Sequence, residues 1–230
     1  SSSPYTEGYQ VLPRMLTDIF KYSAVQSGCD ELFFSEYAEG SSSNKYYEIY
    51  NPTGASIDLS NYEVKLYSNG GTTASQTLDF PSGTMLASGD VYVVANSSAD
   101  ASILAFSDTT STTTYFNGND ALALFKNSDT LDILGEVGVS SYWTVGTGSM
   151  SDNTLVRKAT VNNGTSDWTQ SSSEWDVYAS NTWSYGGAHT SNCFNVAPSP
   201  SFPDVVAINT FNSMDASGVV DSLGAMKWIK

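Results

Sequence analysis

Two acidic residues on neighbouring strand-like segments are the first candidates for chemistry. Glu36 sits in Glu31–Tyr37 (ELFFSEY) and Glu48 in Lys45–Asn51 (KYYEIYN). Paired carboxylates are the machinery of glycoside hydrolysis, one protonating the leaving group and the other serving as base or nucleophile. Both residues have apolar or aromatic neighbours, however, and a carboxylate buried in a sheet ordinarily finds a cation. Lys and Arg together number only 9. Arg157 and Lys158, in Thr154–Ala159 (TLVRKA), are the expected partners. Glu36, Glu48, Arg157 and Lys158 are therefore expected to form a structural ion-pair set, and no catalytic residue is assigned.

The remaining chemistry is sparser. His189 is the one histidine. A Ser-His-Asp relay needs one imidazole, but His189 follows Gly186-Gly187-Ala188 and no G-x-S-x-G elbow occurs in the chain; a turn histidine bonded to backbone is expected. One histidine and two distant cysteines do not make a zinc site, and phosphate-cradling glycine loops are absent where they would matter. No cofactor is expected, with calcium left open because its ligands are carboxylates and carbonyls. Glu36 and Glu39 near the first turn, and Asp120 after Asn117-Gly118-Asn119, are the weak calcium candidates. Trp143, Trp168, Trp175 and Trp183 gather late in the chain. An exposed strip of them would stack on sugars; core and loop packing is the plainer use. Asn96-Ser97-Ser98 and Asn163-Gly164-Thr165 are candidate glycosylation sequons.

These residues must be positioned by a β framework. Besides the two segments above, Asn61–Ser68 (NYEVKLYS) alternates, with Tyr62, Val64 and Leu66 on one face. Thr77–Phe80, Asp90–Ala95, Asp120–Lys126, Thr130–Val137 and Thr154–Ala159 continue the series. Gly, Asn and Ser turns separate them, and Ala99–Phe106 is expected to form one short helix. Short strands at this spacing predict an all-β sandwich. Residues 1–28 read as an arm or short helix, with Pro13 ahead of Met15, Leu16, Ile19 and Phe20. Residues 29–193 carry the sandwich, and 194–203 hold Pro198, Pro200 and Pro203 in a stiff linker. Residues 204–230 form a tail with a strand at Asp204–Phe211 and a weak helix at Asp215–Lys230.

Composition narrows the setting. Across 230 residues, 24 Asp+Glu against 9 Lys+Arg give a net charge of −15. That is a poor match for a phosphate backbone, so no nucleic-acid partner is expected. No apolar run approaches the ~18 residues of a membrane span. Polarity comes largely from 37 Ser and 22 Thr, which with the acidity points to an extracellular setting. Cys29 and Cys193 would pair in a secreted chain and would be unrelated buried thiols in a reducing one. Closing so long a loop contributes about 4–5 kcal/mol in the chain-entropy picture.

Leu32–Gly54 (LFFSEYAEGSSSNKYYEIYNPTG), IDLSNYEVKLYSNG (Ile57–Gly70), GDVYVVANSSA (Gly89–Ala99), FNGNDALALFK (Phe116–Lys126), DNTLVRK (Asp152–Lys158) and SEWDVYASNTWSYGGAHT (Ser173–Thr190) occur in this order. As a set they resemble the lamin-tail domain in its bacterial secreted form, over roughly residues 30–193. The resemblance implies an immunoglobulin-like β-sandwich, here with N- and C-terminal extensions, and brings no catalytic residues. Its bacterial relatives resemble accessory modules on secreted nucleases, phosphatases and surface proteins. Two functions are expected. One is a secreted, non-catalytic structural or interaction protein, a filament or surface subunit that binds copies of itself or extracellular polymers through its terminal arms. The other is an accessory ligand- or glycan-binding domain of a larger secreted hydrolase.

Overall fold

Alternation sets the strands. Tyr62, Val64 and Leu66 are buried while Glu63 and Lys65 between them are half-exposed, the pattern of a strand with one face on a core. The computed structural model describes residues 29–194. The arm at 1–28, all but the first residue of the linker at 194–203, and the tail at 204–230 lie outside the described residues.

In chain order the elements are β1 (Phe33–Glu39), β2 (Lys45–Tyr50), β3 (Ile57–Asp58), β4 (Tyr62–Tyr67), β5 (Gln76–Asp79), β6 (Met85–Leu86), β7 (Val91–Ala95), α1 (Ala101–Leu104) and β8 (Thr109–Thr110). They continue with β9 (Ala121–Lys126), β10 (Asp129–Leu134), β11 (Thr144–Val145), β12 (Gly148–Ser149), β13 (Asn153–Arg157), α2 (Trp168–Ser171) and β14 (Trp175–Ala179). One sheet runs β14-β13-β1-β2-β7-β8 and the other β10-β9-β4-β5, with two small ribbons, β11-β12 and β3-β6. Pairing is antiparallel except between β7 and β8. This is an all-β, immunoglobulin-like sandwich. The expected helix shrinks to the single turn of α1, capped by the Asp100 carboxylate on the Ser102 N–H.

The main core fills the space between the sheets. Tyr37, Tyr47, Ile49 and Leu155 of the first sheet meet Val64, Leu66, Leu122 and Leu124 of the second. A second core lies on the outer face of the six-stranded sheet, where Phe33, Tyr46, Tyr50, Val91 and Val93 pack under Ile103, Phe106 and Trp183. That second layer explains why β1 is buried along its whole length. A strand covered on both faces loses its polar alternation.

β1 carries one irregularity with consequences. Phe34 pairs with Ile49, but the next register partner of Glu48 is Glu36, so Ser35 is an extra residue. A bulge of this kind moves every later side chain to the opposite face. Without it Glu36 would point between the sheets; with it Glu36 shares the outer face with Tyr46 and Glu48.

Candidate functional site: a carboxylate pair beneath a C-terminal strap

Glu36 and Glu48 stand opposite each other on β1 and β2, and each is only 1% exposed. Tyr46, two residues before Glu48 and on the same face, donates its hydroxyl to Glu36 Oε1. The Ser35 hydroxyl donates to Glu48 Oε1 at 2.6 Å. The Gly187 N–H donates to Glu48 Oε2 at 2.8 Å. Glu36 Oε2 has no hydrogen-bond partner among the described residues.

Gly187 belongs to a strap, residues 181–193, that crosses this face. Trp183 stacks edge-on to Tyr46, with centroids 6.4 Å apart. Gly186 lies so close to the sheet layer that an added Cβ would come within 2.6 Å of Phe106 and 3.2 Å of the Tyr46 hydroxyl. His189 sits edge-on to both Phe33 and Tyr50. The Cys29–Cys193 disulfide fastens the far end, with Cα atoms 5.9 Å apart.

Burial dominates the electrostatics. It pushes the Glu36 carboxyl up to about 8, a rise that the Tyr46 hydrogen bond opposes and the Glu48 charge reinforces. It pushes Glu48 up to about 7 against the Ser35 and Gly187 hydrogen bonds, with Asp108 and Asp90 adding to the rise. Burial and the Arg157 charge push His189 down to about 4. The pair can hold and release protons, and in this structure the strap and the second core cover it.

The ion-pair set expected from the sequence does not form. Arg157 instead forks onto Asp132, Nη1 to Oδ2 at 3.0 Å and Nη2 to Oδ1 at 3.3 Å, and also bonds Glu174. The reason is register: the residue of β13 beside Glu36 is Val156, so Arg157 faces the opposite side, between the sheets. Lys158 lies beyond β13 and donates to the Ser173 carbonyl at 2.7 Å. Asp132 was not singled out by sequence, although a lone Asp inside the apolar run LDIL is the kind of signal that marks a buried charge.

Two of the three weak calcium candidates already hold partners. Glu39 takes Lys45 at 3.0 Å and the Asp152 N–H, and Asp120 takes the N–H groups of Asn69 and Asn117. Among the described residues no three His, Cys, Asp or Glu are grouped to hold a metal. The four tryptophans form no exposed strip. Trp143 packs edge-on to Trp168, Trp175 is buried with the Arg157 guanidinium 4.6 Å from its ring, and Trp183 covers Tyr46. They are held by separate packing partners rather than by one surface. His189 is less a turn residue than a wedge: its Nε2 has no hydrogen-bond partner among the described residues. Asn96 is 7% exposed, and its Oδ1 accepts the Ser98 N–H, which hides it from a glycosylating enzyme. Asn163 is half-exposed and accepts the Asp30 N–H.

A pocket of about 420 Å³ opens between β13 and α2, lined by Lys158, Asn162, Asn163, Gln170, Ser173 and Glu174 among others. It was not foreseen, although Lys158 and Asn163 had been singled out for other roles, because nothing in the sequence says that the loop at 158–164 meets α2 and Glu174. Among the described residues no helix is long and apolar enough to cross a membrane.

Residues 26–139 match the family described as Lamin Tail Domain. No curated protein matches the chain. A solved structure with similarity is that of a DUF4876 family protein from Bacteroides thetaiotaomicron VPI-5482, at TM-score 0.46 and 11% identity, covering 69% of this chain and 74% of that one.

Proposed function

We propose, for a chain that contains a lamin tail domain, a secreted and non-catalytic role as the structural subunit of an extracellular assembly, joined to other copies through its terminal segments. The observation that carries this reading is the Cys29–Cys193 disulfide, which fixes two residues 164 positions apart at a Cα–Cα distance of 5.9 Å. The segments 1–28 and 195–230 are therefore both rooted at one point of the sandwich. The disulfide also favours an oxidising compartment.

An acceptor is at hand. β14 ends the six-stranded sheet with no strand beyond it among the described residues. An open edge is a template for a strand from another chain, and Asp204–Phe211 (DVVAINTF) is the donor we propose. The residues between 195 and 203 span about 30 Å when extended. The enzyme alternative finds little support: the paired carboxylates are covered, and His189 has no nucleophile elbow beside it. Removing residues 196–230 tests the reading, and polymerisation should be lost while the sandwich stays folded.

A second reading rests on the polar pocket at Lys158 and Glu174. An accessory domain would bind a hydroxyl-rich ligand there, and Glu174→Ala should weaken glycan binding in a monomeric protein.

A further inference from the structure

Glu36 and Glu48 occupy one register position of an antiparallel pair, where opposed Cβ atoms stand about 4.5–5.5 Å apart. Like charges so placed repel, and the repulsion grows when water is excluded. Among the described residues neither carboxylate has a salt-bridge partner; the cations pair with Glu39, Glu63, Glu31, Asp132 and Glu174. The hydrogen bonds are unequal. Glu48 receives donors on both oxygens, one of them from the strap, whereas Glu36 receives one donor on one oxygen. This arrangement is stable when the pair retains a proton, carried by Glu36.

We propose that Glu36 and Glu48 form a proton-operated latch on the strap of residues 181–193: the strap is shut against the sheet while the pair retains a proton and opens when both carboxylates are charged. The strap is suited to such a motion. Over the carboxylate pair it is held by the Gly187 hydrogen bond and the Trp183, Gly186 and His189 packing, and at its flanks by Asn181 accepting from Ser41, by Tyr185 against Tyr178 and by the Asn192 N–H on the Ala159 carbonyl. The disulfide keeps it tethered when those are lost. Opening would uncover the Phe33, Tyr46 and Tyr50 layer and loosen the root of the C-terminal segment. The latch does not depend on the assembly reading.

Other groups on this face leave the pair as the switch. Asp90 and Asp108 raise Glu48 and add to the negative field. Asp176 and Tyr178 of β14 lie on the same face by register; Tyr178, bonded to Tyr185 of the strap, is pushed up to about 12. Tyr46 is held far above its usual value, burial raises Tyr50, and Arg157 is engaged with Asp132 and Glu174. His189, pushed down to about 4, is neutral throughout. Burial pushes Glu36 up to about 8 and Glu48 up to about 7, in the range where the switch should act.

Hydrogen exchange on the full chain, corrected for intrinsic rates, tests the latch between pH 6 and pH 9. Protection of strap peptides 181–193 should fall at least tenfold over this range while peptides of β4 and β9 hold theirs. Glu36→Gln leaves one ionisable group, so the strap should stay protected at pH 9. Glu48→Gln should do the same and serves if the first variant fails to fold. Flat strap protection in the natural sequence overturns the latch. So does a loss shared equally by the whole sandwich, or a Gln variant that follows the natural profile.

Discussion

The Arg157 guanidinium lies 3.0 Å from Asp132 Oδ2, with both side chains wholly buried, and ties the two sheets together. Asp132 also accepts the N–H groups of Phe34, Ile133 and Thr165, so one carboxylate organises β1, β10 and the loop at 165. Burial raises the Asp132 carboxyl against the pull of Arg157 and these donors. Phe34 immediately precedes the Ser35 bulge, so this contact anchors the irregularity that turns Glu36 outward.

Breaking this contact should be costly. Removing one partner of a buried ion pair typically costs about 3–5 kcal/mol, because the other charge is left uncompensated. Arg157→Ala should lower unfolding free energy by that amount in urea titration. Asp132→Leu combined with Arg157→Met should recover only part of that loss, because Glu174 then lacks its cation and the Phe34 and Thr165 N–H groups lose their acceptor.

How much of this was legible follows from particular residues. The strands β1, β2, β4, β7, β9, β10 and β13 appear close to where alternation and branched residues place them. β14 was absent from the strand series because Asp176 and Ala179 are exposed and its apolar contrast is low. The Glu36 environment was misread because a one-residue bulge leaves no periodic signature. Arg157 and Lys158 were chosen as partners because cations are few, whereas the Ser35 bulge turns Glu36 toward Glu48 and the register of β13 turns Arg157 to the opposite face. The covering strap is a tertiary fact, built from a glycine-rich segment without regular structure.

The carboxylate pair makes stability depend on pH with a definite sign. The folded values, about 8 and about 7, lie above the unfolded value of 4.5. The folded state then binds more protons, so the contribution is complete below about pH 4.5 and falls as pH rises through 7 and 8. Denaturation midpoints should fall as pH rises from about 4.5 to about 8, and Glu36→Gln should flatten the decline.

The disulfide should matter to the sandwich as well as to its terminal segments. Replacing both Cys29 and Cys193 by Ser should cost about 4–5 kcal/mol in the chain-entropy picture, read as a lower urea midpoint. It should also raise hydrogen exchange in the strap, whose tether is then gone.

Gly186 reports on the fit of the strap. Its missing Cβ makes room for Phe106 and the Tyr46 hydroxyl. Gly186→Ala should cost about 1–3 kcal/mol through overpacking, with Trp183 fluorescence shifting as the strap lifts.

The central claim is that the sandwich is a scaffold and its terminal segments make the assembly. The most direct measurement compares the full chain with one ending at residue 195, by light scattering and negative-stain microscopy. The account predicts regular polymers from the full chain and folded monomers from the shortened one. A full chain that stays monomeric, or a shortened chain that polymerises equally well, would contradict it.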